Sequence, residues 1–232
     1  MLKQRHIEPE IMDAPDMMGE RHAAALRGLQ RINAWSRSAR ILWPELARLA
    51  RELGHSIKVL DVACGGGDVP IRLNRMARRA GLDIMLHGID RSPSAVGFAQ
   101  RSASERSVDV TFSVGDALNQ ALPEGYDVVM CSLFLHHISD EEAESLLKRA
   151  AAAARRLVLV NDLRRCTSGW LLAYAGSRVL SRSPIVHIDG PLSVRAAFTP
   201  AEVRVLANRA GLNGATVARR WPCRFLLTWR RP

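Results

Sequence analysis

Apolar and polar positions change period several times along this chain. From Gly19 to Leu53 the apolar residues recur at helical spacing. Ala23, Leu26, Leu29 and Ile32 form one stripe, and Ile41, Leu42, Leu46, Leu49 and Leu53 form another, which predicts two or three helices. Pro44 is expected to start or kink the second. From Ile57 onward short β-branched runs alternate with amphipathic stretches. The predicted strands are Lys58–Val62, Ile84–Ile89, Val108–Val114, Tyr126–Ser132 and Arg156–Val160. Between them lie helical stretches over Val69–Ala80, over Ser94–Ser104 with Ser92 as N-cap and Pro93 at N1, and from Ser139, whose first turn carries Asp140, Glu141 and Glu142. Repeated strand–helix units predict a mostly parallel sheet covered on both faces.

The last third changes character. Gly169–Leu180 reads as a helix and Ser183–Pro191 as a loop containing His187, Asp189 and Gly190. Thr199-Pro200-Ala201-Glu202 has the residues of a capping box and opens a helix that should stop at Gly211. Ala215–Arg220 and Arg224–Trp229 read as two strands with no helix between them, hence an antiparallel hairpin at the sheet edge. Residues 1–18 are turn-rich and without period. The expected division is a helical lid over residues 1–55 and an α/β ligand-binding domain over residues 56–232.

A length of 232 residues and an apolar fraction of 47% suit one sizeable core with an appendage. No apolar run approaches the ~20 residues of a membrane span, and the best candidate, Trp170–Gly176, is soon followed by Arg178 and Arg182. The first ten residues carry acids and no apolar core, so a cytoplasmic protein is expected. Cys64, Cys131, Cys166 and Cys223 form no CxxC pair, so neither a cysteine zinc site nor a disulfide framework is expected, and no metal is predicted. The net charge of +10 would suit nucleic acid. The arginines, however, are scattered through alanine-rich helices, and 5% aromatic residues leave little for base stacking.

The stretch Lys58–Asp68, K-V-L-D-V-A-C-G-G-G-D, carries the most chemistry: a buried strand, a glycine turn and a helix start. Glycines admit positive φ and close ligand approach, and a helix N-terminus offers free N–H groups. A dinucleotide loop would need glycine where Pro70 stands, and no Gly-Lys-Ser/Thr follows for a P-loop. Asp61 discriminates further, because an acid there would repel a phosphate and suit a ligand bearing an ammonium group.

Asp61-Val-Ala63-Cys64-Gly65-Gly-Gly67 resembles the first motif of class I S-adenosylmethionine-dependent methyltransferases, with Ala63 at the first glycine position. The resemblance runs from about Ile57 to the C-terminus. It implies a Rossmann-like fold with a seven-stranded, mostly parallel sheet, S-adenosylmethionine as cofactor and S-adenosylhomocysteine as product. It implies that Asp90 with Arg91 addresses the ribose, that Asp116 and Ala117 address the adenine, and that Cys131 and Ser132 end the fourth strand beside the sulfonium. Cys131-Ser-Leu-Phe-Leu-His136-His137-Ile is similar to the ubiquinone/menaquinone-biosynthesis type and related small-molecule methyltransferases. Phosphoethanolamine methyltransferases have a catalytic histidine where His137 falls.

A hydroxyl acceptor must lose a proton, and histidine suits that task at neutral pH. The resemblance and the residue types make His137, then His136, the candidate base, with His187 as a further candidate. Asp162, in Asn161-Asp162-Leu-Arg164-Arg165, is a candidate to orient a histidine or hold the acceptor. Trp35 and Trp43 belong to helices expected to cover an apolar acceptor pocket. The expected activity is methyl transfer to a phenolic or polyketide-like hydroxyl of secondary metabolism. The alternatives are C-methylation of a quinone-type ring and an RNA-modifying methyltransferase favoured by the basic charge. An Asn/Asp-Pro-Pro-Tyr/Phe motif for a flipped base is missing after the fourth strand, where Ser132-Leu-Phe-Leu stands.

Overall fold

The computed structural model describes residues 2, 4–11 and 19–232, with side chains of residues 19–23 excepted. The turn-rich segment expected around residues 12–18, and the side chain of Ala23, lie outside the described residues. Helices α1 (Gly19–Trp35) and α2 (Ser38–Leu53) precede the alternating region β1 (Ile57–Val62), α3 (Asp68–Ala80), β2 (Ile84–Asp90), α4 (Pro93–Glu105), β3 (Thr111–Val114) and β4 (Tyr126–Ser132). A 3₁₀ turn, Leu135–His137, leads to α5 (Asp140–Ala153) and β5 (Ala154–Leu163). Then come α6 (Thr167–Leu180), α7 (Pro184–Ala196), α8 (Pro200–Arg209), β6 (Thr216–Arg220) and β7 (Arg224–Arg230).

Among the described residues the strands form one seven-stranded sheet in the order β3-β2-β1-β4-β5-β7-β6. β7 runs antiparallel to both β5 and β6, and the other pairings are parallel. Strand alternation sets the two larger core clusters on opposite faces of the sheet. Leu60, Val129, Val158 and Val160 pack with α5 and α8 on one face, while Val59, Met130, Leu157 and Leu159 pack with α2 and α3 on the other. The order reverses between β1 and β4, and in open α/β sheets such a switch point leaves a crevice at the carboxyl ends of the strands.

The predicted helix starts hold. Ser92 Oγ accepts the Ala95 N–H at 3.2 Å, and Ser139/Glu142 and Thr199/Glu202 both form capping boxes. Several boundaries move. α2 begins at Ser38 and carries Pro44 in its interior, the third strand is only Thr111–Val114, and the fifth extends from Ala154 to Leu163. One element changes type: the loop expected over Ser183–Pro191 is helix α7, which holds Pro191 in its interior. The Gly190-Pro191 pair reads locally as a turn, but Pro184 pre-sets φ at N1 and the helix packs along α6, so tertiary contact overrides the local signal.

Candidate active site

The carboxyl ends of β1, β2, β4 and β5 open onto a cavity of about 870 Å³, large within the ~300–1,000 Å³ common for ligand sites. Its first half is built from the turn between β1 and α3. Ala63 has φ 55°, Gly65 φ 52° and Gly67 φ 72°, so the chain turns through left-handed backbone three times in five residues. At Gly67 a Cβ would lie 2.7 Å from the Phe112 ring and 2.8 Å from Ala99, so only glycine fits. At Gly65 a Cβ meets nothing within 4 Å, which leaves the backbone open to the cavity. Asp90, at the end of β2, holds this turn: its Oδ2 accepts the Gly65 N–H at 2.8 Å and its Oδ1 accepts the Ser92 N–H at 2.9 Å.

Asp61 is 1% exposed, and its Oδ1 has no hydrogen-bond partner. Burial first, then the charges of Asp68 and Asp90, push its carboxyl well above the ordinary range. A buried carboxyl oxygen without a donor fits a ligand that brings positive charge or an N–H. Asp68 lies beside it at the start of α3, where burial against the hydrogen bond from Asn33 raises its pKa to about 6. Asp116 is engaged in its own turn. Asn119 Nδ2 donates to its Oδ2 at 2.8 Å and the Leu118 N–H to its Oδ1 at 2.8 Å, and these bonds hold its pKa below the usual value.

The second half is built from β4, β5, α6, α7 and the N-terminal arm. Leu135 is fully buried and anchors the 3₁₀ turn, while the His136 N–H points to Asp162 Oδ2 at 3.3 Å. The His136 Nδ1 lies 2.6 Å from Asp162 Oδ1. Burial raises the Asp162 pKa, but the charge and hydrogen bond of His136 and the N–H of Leu163 outweigh it, and the net direction is down. An ionised carboxylate only accepts, so Nδ1 carries a proton and Nε2 is the nitrogen turned away from Asp162. That atom lies 3.9 Å from Glu10 Oε1, which is also 3.9 Å from His137 Nδ1. Glu10 accepts a 2.5 Å hydrogen bond from Ser193 Oγ.

Arg5 holds the arm in place. Its Nε donates to the Ala196 carbonyl at 2.6 Å, its Nη2 donates to the Ile138 carbonyl at 2.6 Å, its Nη1 pairs with Asp140 at 2.7 Å, and its guanidinium covers the Phe198 ring at 3.6 Å.

Of the residues singled out in the sequence, Asp61, Ala63, Cys64, Gly65, Asp90 and Arg91 line the first half of the cavity. Asp116, Ala117, Ser132, His136 and His137 also line it. Gly67 and Asp162 stand behind the wall, and Cys131 belongs to the core. His187 is not on the wall; its Nε2 bonds the Ser181 carbonyl at 2.7 Å.

Sequence reasoning missed Glu10, Ser193 and Arg224, which also line the cavity. Arg224 is 3% exposed, and only its Nη2 finds a hydrogen bond, to Ser36 Oγ at 2.6 Å. Burial lowers its pKa to about 10, against the charges of Asp162 and Asp68. A predicted strand start with an arginine was the only signal for it, and Glu10 had none.

A methyltransferase-domain family model matches residues 59–156. Magnesium protoporphyrin IX methyltransferase from Synechocystis PCC 6803, solved with bound S-adenosylhomocysteine, superposes with a TM-score of 0.59 at 21% identity, covering 95% of this chain and 91% of that one. The fold is therefore that of a class I methyltransferase.

Two ubiquinone biosynthesis O-methyltransferases are also similar. The protein from Aeromonas salmonicida (strain A449) is 30% identical over 67% of this chain and 62% of its own length. That from Azorhizobium caulinodans is 30% identical over 73% of this chain and 68% of its own. The chain belongs to the class I S-adenosylmethionine-dependent methyltransferases of the ubiquinone-biosynthesis type. It spans a little under two thirds of the length of the first of these relatives, 62%. No helix among the described residues is long and apolar enough to cross a membrane.

Proposed function

We propose that this chain is an S-adenosylmethionine-dependent methyltransferase acting on an oxygen of a small phenolic or polyketide-like acceptor in the cytoplasm. One observation carries the reading. A single cavity joins an acid-and-glycine cradle to a buried His136–Asp162 pair whose second imidazole nitrogen faces Glu10. When bound, S-adenosylmethionine supplies an electrophilic methyl group on a cationic sulfur. Asp61, the open backbone of Gly65 and the side chain of Asp90 would hold it, with Arg91, Asp116, Ala117 and Ser132 around the nucleoside and sulfonium ends.

The chain's other work is alignment and proton removal. Effective molarities gained by fixing two reactants can supply roughly 7–11 kcal/mol of the barrier. His136 Nε2 takes the acceptor hydroxyl proton, and Asp162 and Glu10 stabilise the imidazolium on its two sides. We prefer His136 to His137 for this role because its other nitrogen is fixed by a buried carboxylate, whereas His137 stacks on Phe134 with ring centroids 6.2 Å apart. Of residues 1–55, expected as a lid, we assign that role to the arm and α1, which line the cavity, with the arm carrying Glu10 closing the acceptor side. Helix α2 instead packs in the core against the sheet.

The assay is transfer of labelled methyl from the cofactor to a panel of phenols, with total RNA in parallel. Label is expected in a phenol and not in RNA, and His136→Ala should cut turnover by roughly 10²–10⁴-fold. A near-wild-type rate and unchanged pH profile in His136→Ala would remove the base, and labelled RNA would reverse the choice of acceptor.

A further inference from the structure

The nitrogen of His136 that faces the cavity does not face it alone. His136, His137 and Glu10 each offer a donor atom, all within 4.8 Å of one another. Two of these separations, carboxylate to each imidazole, are 3.9 Å. Imidazole nitrogens and a carboxylate oxygen turned toward one point can share a cation between them. A proton is one such cation, and a metal ion is the other.

We propose that Glu10, His136 and His137 form a divalent metal site on the acceptor wall of the cavity, suited to a borderline ion such as Zn²⁺. The donor set is two imidazoles and one carboxylate, a combination that binds first-row transition metals with positions left open for a further ligand. Metal–ligand bonds of ~2.0–2.2 Å in a tetrahedral arrangement imply donor separations of about 3.4 Å. Rotamer-scale movement of Glu10, which sits on the arm and not in the sheet, would close the two 3.9 Å spacings. The two imidazoles, whose donor atoms lie within 4.8 Å of one another, would turn toward the same ion.

The outer shell is also present. Asp162 receives His136 Nδ1 at 2.6 Å, which fixes the tautomer that presents Nε2, and Ser193 holds the Glu10 carboxylate at 2.5 Å. Carboxylate–histidine–metal triads are organised in this way. The burial is appropriate too, with His136, His137 and Glu10 side chains 4%, 19% and 10% exposed.

One consequence rests on the function proposed above. A metal on His136 Nε2 occupies the lone pair that would accept the acceptor's proton, so the metal-loaded protein is the inhibited form.

The test uses the full chain freed of metal by chelator. Zn²⁺ titrated by calorimetry should bind once per chain, and Mg²⁺ should not. Glu10→Ala should abolish the binding, and Asp162→Asn should weaken it 10–100-fold, as loss of an outer-shell partner does. Glu10→Gln, which can still accept from Ser193, controls for a disturbed arm and should also lose Zn²⁺. Methyl transfer should fall in step with occupancy and return with chelator. Absence of binding, or binding unchanged in both Glu10 variants, overturns the metal site and leaves the imidazole base untouched. Binding that accelerates methyl transfer keeps the metal site and overturns the base.

Discussion

Asp61 and Asp162 are each 1% exposed and sit at or near the carboxyl ends of strands in one sheet, yet their environments act in opposite directions. Asp61 has an oxygen with no donor and neighbours of its own sign, and its pKa is raised. Asp162 is bonded to His136 and the Leu163 N–H and is held ionised. The cofactor half of the cavity is thus built around an acid whose ionised form the fold leaves uncompensated, and the acceptor half around one whose ionised form the fold compensates internally. An uncompensated buried charge costs stability until a ligand answers it, whereas a compensated one orients its partner.

The largest effect should fall on the uncompensated half. Gly65→Arg places a side chain where a Cβ meets no protein atom within 4 Å, on the cavity wall. Cofactor binding by calorimetry should be abolished in it and in Asp61→Ala. Unchanged affinity in both would end the assignment of this half to the cofactor.

A smaller effect should appear in stability. The folded-state pKa of Asp68 is about 6, against an ordinary 3.8. The folded state then binds this proton more tightly than the unfolded chain, so its contribution is present below pH 3.8 and is lost as pH rises through 6. At about 1.4 kcal/mol per pH unit that gap is worth about 3 kcal/mol. Asp68→Asn should be more stable than wild type by about that amount at pH 7 and should lack the slope between pH 4 and 6 in thermal melts. Parallel curves for the two proteins would mean that Asp68 is compensated after all, and would blur the contrast with Asp162.

The smallest effect concerns Ala63, a non-glycine residue at φ 55°. Left-handed backbone costs an L-residue roughly 1–2 kcal/mol, partly offset by the larger unfolded-state entropy of glycine. Ala63→Gly should therefore raise stability by up to about 1 kcal/mol, read as a melting-point increase of about 2–4 °C. A decrease would show that the Cβ of Ala63 packs usefully against the site.

Much of the cofactor half was legible because its parts are local. Strand, glycine turn and helix start are adjacent in the chain, and each acid ends a strand whose apolar run announces it. Thus Asp61, Gly65 and Asp90 could be picked out by position, and the sheet order follows from alternating elements that obey handed connections.

The acceptor half resisted because its parts meet only in space. His136 and Asp162 were visible as candidates, but only the pairing of β4 with β5 brings their side chains within 2.6 Å. His187 sits in a helix where local glycine–proline chemistry suggested a loop, and its ring turns to a backbone carbonyl.

By itself the sequence determined the alternating α/β sheet, the antiparallel terminal hairpin and the acid–glycine cradle, because period, caps and turns are written within a few residues of where they act. Only the tertiary structure decided that Arg5 ties the arm to the 3₁₀ turn, that Glu10 faces two histidines and that Asp162 holds one of them. Those contacts join segments far apart in the chain, where no local pattern records the distance between them.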